Sequence, residues 1–242
     1  MLSLKNKIAV VTGASSGIGK SIALELAKKG VRLCLLGRNL QKLEVIAEEA
    51  GKDSPLVKCY GVDLVKDIDI KGLQQKLNGD FEKIHILIHS AGLISLGRLE
   101  FSSVADFDRQ YQTNVRAPFL LTQSLLPMLK SGKGQVVFIN SSAGLRAGVN
   151  IGQYAATKSA LKSIADSFRN ELNTEGIRVL SVYPGRTATP MQEDVNKMEG
   201  KEYHPELLLQ SEDIAVTVIN AIRMPRSAEI TDIHIRPFSK SY

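Results

Sequence analysis

Ile8-Ala9-Val10-Val11-Thr12-Gly13-Ala14-Ser15-Ser16-Gly17-Ile18-Gly19-Lys20-Ser21 changes character at its centre. The first four residues are apolar at consecutive positions, as in a strand buried on both faces rather than on one. After the glycines, Ile22, Ala23, Leu26 and Ala27 recur at helical spacing, and Gly30 stands where a helix C-cap glycine belongs. Between strand and helix, glycines permit a tight turn and let backbone N–H groups approach an anion at the helix N-terminus. The stretch therefore reads as strand, phosphate-sized turn, helix.

Working outward, the same alternation continues to the end of the chain. Strand-like runs fall at Val31–Leu36, Leu56–Val62, Ile84–Ile88, Gln135–Asn140, Ile177–Val182 and about Glu229–Ile235. Helical spacing appears at Leu40–Ala50, Ile68–Leu77, Gly152–Thr174 and Asp213–Arg223, with one long helix expected from about Ser103 to Leu129. Strand and helix in strict alternation imply an α/β fold, a doubly wound parallel sheet of about seven strands with helices on both faces. No Pro-, Gly- or Ser-rich linker and no repeat interrupts residues 1–242, so one domain is expected. Residues 191–210, charged and weakly periodic, read as an excursion from the sheet.

Bulk properties narrow the function classes. The 242 residues are 43% hydrophobic and 23% charged, and the longest apolar runs are far too short to span a bilayer. Lys5 and Lys7 precede an apolar stretch that breaks at Gly13, which does not fit a signal peptide, so a cytoplasmic location is the expectation. Cys34 and Cys59 sit in apolar runs and read as buried thiols. The four histidines form no zinc pattern, and no metal is expected. The net charge of +6 is spread along the chain without a basic cluster or interleaved aromatics, which argues against nucleic acid and suits an anionic cofactor.

The glycine turn alone admits two ligands. Ala14–Ser21 nearly has P-loop spacing, ending in Gly19-Lys20-Ser21, but Ala14 stands in place of the first glycine. That reading gives a nucleotide triphosphatase. The other pattern is Thr-Gly-x-x-x-Gly-x-Gly, through Gly13, Gly17 and Gly19. A second constellation separates them. Tyr154 and Lys158 are four apart on one helix and share a face with Leu161, Ala165, Phe168 and Leu172. Lys158 thereby stands in line with a buried stripe, where an unpaired ammonium is expensive. Ser141, thirteen residues before Tyr154, follows a strand and so lies at the carboxyl end of the sheet, where open α/β folds bind ligands.

The glycine turn, Ser141, Tyr154-x-x-x-Lys158 and Pro184-Gly185 after the next strand occur in an order that resembles the short-chain dehydrogenase/reductase family, over nearly the whole chain. The resemblance implies an oxidoreductase that passes hydride between a nicotinamide and a carbonyl or alcohol, on a Rossmann-like fold. It makes Tyr154 the general acid/base, Ser141 the substrate-oxygen donor, Lys158 the ribose-holding cation and Asn114 the fourth catalytic residue. Ser142 is chemically equivalent to Ser141; the thirteen-residue spacing and Gly144 favour Ser141. A Lys158 ammonium beside Tyr154 is expected to favour the phenolate and lower its pKa. Pro118, four residues after Asn114, has no N–H for the Asn114 carbonyl.

For the cofactor, the resemblance places Gly13, Ser15, Ser16, Gly17, Ile18 and Gly19 at the phosphates and Asp63 and Leu64 at the adenine. Ser90, Ala91 and Gly92 follow the fourth strand, and Pro184, Gly185, Thr187 and Thr189 belong beside the nicotinamide with Tyr154 and Lys158. Here the second strand ends Leu36-Gly37-Arg38, with glycine where NAD sites carry an acid and Arg38 suited to a 2′-phosphate, so NADP(H) is expected. His89-Ser90 departs from the family's paired asparagines, and the chain's end lacks the Gly-Gly common in many members. A homodimer or homotetramer is a family expectation. A protein that binds NADP(H) without turnover, as a sensor, is the other class compatible with these residues.

Overall fold

The structure is a computed structural model and describes residues 1–238; the last four residues of the expected 1–242 domain lie outside it. Seven parallel strands form one sheet, in the order β3-β2-β1-β4-β5-β6-β7. They are β1 (Ile8–Thr12), β2 (Arg32–Gly37), β3 (Val57–Gly61), β4 (Ile86–His89), β5 (Gln135–Ile139), β6 (Arg178–Pro184) and β7 (Asp232–Ile235). β1 is buried at every residue, as its unbroken apolar run requires. Its side chains alternate between two cores. Ala9 and Val11 join Ile22, Leu26 and Val218, whereas Ile8 and Val10 join Leu77, Leu125 and Leu161. Those partners come from helices on opposite faces: α1 (Gly17–Ala27), α2 (Leu40–Ala50) and α8 (Ser211–Ile222) on one, α3 (Asp67–Asp80), α5 (Ala117–Gly132) and α6 (Gly152–Leu172) on the other.

The strand order reverses between β1 and β4. Chain leaving β3 crosses to the far side of β1, so the turns after β1 and β4 separate and open a crevice at the carboxyl ends. The sequence-based elements recur with shifted ends; β7 is three residues shorter at its start than expected.

Two segments differ from expectation. The single helix expected over Ser103–Leu129 is instead α4 (Val104–Tyr111), a π-helical turn at Gln112–Arg116, and α5. Pro118 has no N–H to return to Asn114, so the ladder slips here to i→i+5 bonds and the helix widens at the residue that carries Asn114. Residues 191–210, expected only as an excursion, begin as an ordered helix, α7 (Pro190–Glu199). Thr189 Oγ1 caps it by accepting from Gln192 N at 3.2 Å, and Gly200, left-handed at φ 64°, ends it. After it the chain returns to the loop following β6 through one parallel bridge, Thr187–Leu209.

Candidate active site

A cavity of about 800 Å³ occupies the crevice. Its floor is the turn between β1 and α1. Gly13 has φ +65° and Gly17 φ +52°, and a Cβ on Gly13 would lie 2.9 Å from the Ala91 backbone. Gly19 is required for a different reason: a Cβ there would meet the Gly13 carbonyl oxygen at 2.4 Å. Thr12 fastens this turn to the one after β4, accepting from Ser90 N at 3.0 Å and Ala91 N at 3.1 Å and donating to the Ile88 carbonyl. α1 then starts at Gly17 with no side-chain cap and no acid in its first turn. Its free N–H groups and positive dipole end face the cavity.

One wall of the cavity is built by β5 and α6 and the turn between them. Ser141 follows β5, its N–H donating to Asn140 Oδ1 at 2.8 Å, and Asn140 Nδ2 donates in turn to the Lys158 carbonyl at 3.1 Å. Gly144 lets the two segments touch: a Cβ there would lie 2.9 Å from the Lys158 carbonyl oxygen and 2.8 Å from Asn140 Oδ1. Ser141, Tyr154 and Lys158 thereby line one cavity.

Lys158 is 4% exposed, and its Nζ donates to the Ile139 carbonyl at 3.0 Å. Burial lowers its pKa to about 8. Tyr154 is half-buried, and burial pushes its phenol up to about 12, with the Ser141 hydroxyl acting the other way. The expected lowering of the tyrosine by Lys158 is thus corrected for the protein alone. The lysine Nζ is directed at Ile139 and sits 5.7 Å from the tyrosine ring centroid.

Of the residues named from sequence, Gly13, Ser15, Ser16, Gly17, Ile18, Arg38, Asp63, Leu64, Ser90, Ala91, Gly92, Pro184, Gly185, Thr187 and Thr189 also line the cavity. Gly19 and Asn114 do not. Gly19 lies beneath the turn, and Asn114, 1% exposed, stands behind the wall. Asn114 clamps Leu93, accepting from its N–H at 2.9 Å and donating to its carbonyl at 2.9 Å, and it also donates to Thr157 Oγ1 at 3.1 Å. His89 turns away from the cleft, stacked 4.9 Å from Phe138 and hydrogen-bonded to Thr122 Oγ1, and burial lowers its pKa to about 3. It is a neutral core histidine. Sequence reasoning did not single out Thr12 or Asn140 as site residues, nor the cavity-lining Arg109, Arg146 and Arg186. A hydroxyl and an amide at the ends of β1 and β5 were the available signal for the first two.

The P-loop reading fails on geometry. Lys20 Nζ pairs with Glu49 on α2 at 3.4 Å, and Ser21 Oγ is buried and bonded to Glu212 at 3.0 Å and to the Gly17 carbonyl. Neither is directed at a phosphate-bound metal. Among the described residues no group of His, Cys, Asp or Glu could hold a metal ion, and no helix is long and apolar enough to cross a membrane.

A doubly wound parallel sheet with a glycine turn at its switch point is the architecture of dinucleotide-binding proteins. Residues 7–200 match the short chain dehydrogenase family, and the chain belongs to it. An uncharacterized oxidoreductase of Staphylococcus epidermidis is 32% identical over 238 residues, covering 98% of this chain and all of that protein. An alcohol dehydrogenase of the archaeon Thermococcus sibiricus, complexed with 5-hydroxy-NADP, superimposes with a TM-score of 0.88 at 26% identity over 98% of this chain and 100% of that one. A 3-ketoacyl-(acyl-carrier-protein) reductase of Brucella melitensis, complexed with NADH, gives 0.85 at 26% identity over 96% and 98%.

Proposed function

We propose that this protein is an NADP(H)-dependent oxidoreductase interconverting a carbonyl and an alcohol on a small molecule. The observation that carries the reading is the convergence of Ser141, Tyr154 and buried Lys158 on one wall of the cavity whose floor is the uncapped start of α1.

The residues fit a dinucleotide phosphate. The α1 N-terminus and the glycine turn, with Ser15, Ser16 and Ile18, offer backbone N–H groups to a diphosphate. Asp63 and Leu64 would flank the adenine, Ser90, Ala91 and Gly92 the neighbouring wall, and Pro184, Gly185, Thr187 and Thr189 the nicotinamide. Solved relatives carry either NADP-type or NADH cofactors, so the choice rests on this chain's own second strand. Arg38 follows β2, lines the cavity, and has no ion pair or side-chain hydrogen bond among the described residues. A free guanidinium there suits a 2′-phosphate.

The bound cofactor would supply the hydride for the carbonyl carbon. Tyr154, protonated at neutral pH, would give its phenolic proton to the carbonyl oxygen, and as phenolate would take it back in the reverse direction. Ser141 would donate to the same oxygen as charge builds on it. Lys158, cationic below about pH 8, would lower the cost of the phenolate. Asn114 would act by holding Leu93 and Thr157 in place behind this wall.

In this reading residues 1–242 are one cytoplasmic domain, working as a homodimer or homotetramer. The partly exposed Phe107, Tyr111 and Phe119 on α4 and α5 support such a contact. Titration with NADPH and NADH, followed by NADPH oxidation against aldehydes and ketones, tests the proposal. It expects tighter binding of NADPH and turnover that disappears in Tyr154→Phe. Binding without turnover of any carbonyl would instead identify a sensor.

A further inference from the structure

The substrate end of the cavity carries a charge that the reaction at Tyr154 does not use. Four arginines line the cavity: Arg38, Arg109, Arg146 and Arg186. Arg186 is held by Glu199 through two contacts, 3.0 and 2.6 Å, and Lys201 shares the same carboxylate at 3.3 Å. Arg109 pairs with Asp106 one turn away on α4 at 2.7 Å; both side chains are well exposed, and such a pair contributes little in water. Arg38 and Arg146 have no ion pair and no side-chain hydrogen bond among the described residues. Arg38 stands at the end of β2, where the 2′-phosphate belongs. Arg146 stands five residues after Ser141, at the other end.

Its backbone is fixed. Arg146 N donates to the Ser142 carbonyl at 3.2 Å, and Ser159 Oγ on α6 holds the same turn through the Gly144 carbonyl at 2.9 Å. Among the described residues Glu199 is the one carboxylate at this end of the cavity, and it is already shared by two cations. Ile94, Leu96, Ile151, Met191 and Val195 add apolar surface to the lining, beside the polar Gln112, Thr113 and Gln192. A slot with apolar and neutral polar walls, and a guanidinium that no carboxylate among the described residues pairs with, has the chemistry of an amphiphilic anion site.

We propose that the substrate is a carbonyl compound bearing a carboxylate, and that Arg146 is the residue that selects it. This rests on the oxidoreductase reading above. A single free guanidinium matches a carboxylate through two parallel N–H···O bonds, and an apolar chain between carboxylate and carbonyl fills the slot. Arg109, tied only by its weak pair to Asp106, is able to share the anion. Leu145, Val149, Ile151 and Met191 give the neighbouring sequence an apolar character, and no carboxylate-binding motif marks Arg146.

The test measures NADPH oxidation at low ionic strength with 4-oxopentanoate and 5-oxohexanoate, each against its methyl ester. The wild type is expected to prefer each acid by about tenfold or more in kcat/KM, a difference of roughly 1.4 kcal/mol. Arg146→Gln is expected to erase that preference through KM for the acid, and Arg146→Lys to keep part of it. Thermal unfolding of both variants checks that this exposed position leaves folding intact. Equal or better turnover of the esters overturns the inference while leaving the oxidoreductase reading standing. So does an equal loss on acid and ester in Arg146→Gln, or inertness of both series in a protein that binds NADPH. Failure to bind NADPH, or turnover that survives Tyr154→Phe, sinks the oxidoreductase reading and this inference with it.

Discussion

Replacing Lys158 by methionine exchanges an ammonium that is 4% exposed for an apolar chain of similar length. The folded protein holds this lysine at a pKa of about 8, against 10.5 for the free side chain, because burial strips its hydration. Below pH 8 both folded and unfolded chains carry the proton, and the folded state bears the full desolvation cost. At about 1.4 kcal/mol per pH unit of pKa difference, that cost is about 3 kcal/mol at pH 7. Between pH 8 and 10.5 the folded lysine is neutral while the unfolded one is still charged, so the unfolded state binds more protons and stability rises with pH. The lost bond to the Ile139 carbonyl offsets about 1 kcal/mol of the variant's gain. Lys158→Met should therefore be more stable than wild type by about 2 kcal/mol at pH 7. The wild type should recover about 2–3 kcal/mol relative to it by pH 10. Urea unfolding of both proteins at the two pH values, without cofactor, measures this, and contributions from all other titrating groups cancel. Parallel stability curves would refute the claim that this lysine is held at a desolvation cost. The same variant should lose nearly all turnover, so that stability and activity move in opposite directions.

Three further substitutions probe the supports of the site. Asn114→Ala removes three hydrogen bonds to Leu93 and Thr157 and should cost about 2–4 kcal/mol in urea unfolding, with kcat falling more than NADPH affinity. Gly144→Ala places a methyl group against the Lys158 and Asn140 contacts and should cost about 1–3 kcal/mol and slow turnover; a neutral result would mean that β5 and α6 are not in contact here. Arg38→Ala should weaken NADPH binding about tenfold and leave NADH binding nearly unaltered, measured by fluorescence titration. An equal effect on both cofactors would remove Arg38 from the 2′-phosphate.

The sheet was legible because its central strands are apolar at consecutive positions. Ile8–Val11 and Ile86–Ile88 have the composition of strands covered on both faces, and that pattern is local. Tyr154, Lys158 and Ser141 were legible for the same reason, through fixed spacings along the chain. What escaped the sequence depends on partners far away in it. The hydroxyl of Thr12 reaches Ser90 and Ala91 across 78 and 79 positions, and Asn114 reaches Leu93 and Thr157 across 21 and 43. The π-helical turn was half visible, since Pro118 announces a missing N–H but not whether the helix kinks or widens. His89 left open whether its ring faces the cleft; only the packing of Phe138 and Thr122 decides that. That Arg146 has no carboxylate partner among the described residues depends on its whole surroundings, and no linear motif encodes an absence.

Transfer of deuterium tests the central claim most directly. NADPH deuterated at the transferable C4 position, incubated with a turned-over ketone, should yield an alcohol heavier by one deuterium on the carbinol carbon, with none formed by Tyr154→Phe. An alcohol lacking the label, or equal labelled product from Tyr154→Phe, would contradict hydride transfer from the nicotinamide with Tyr154 as the proton donor.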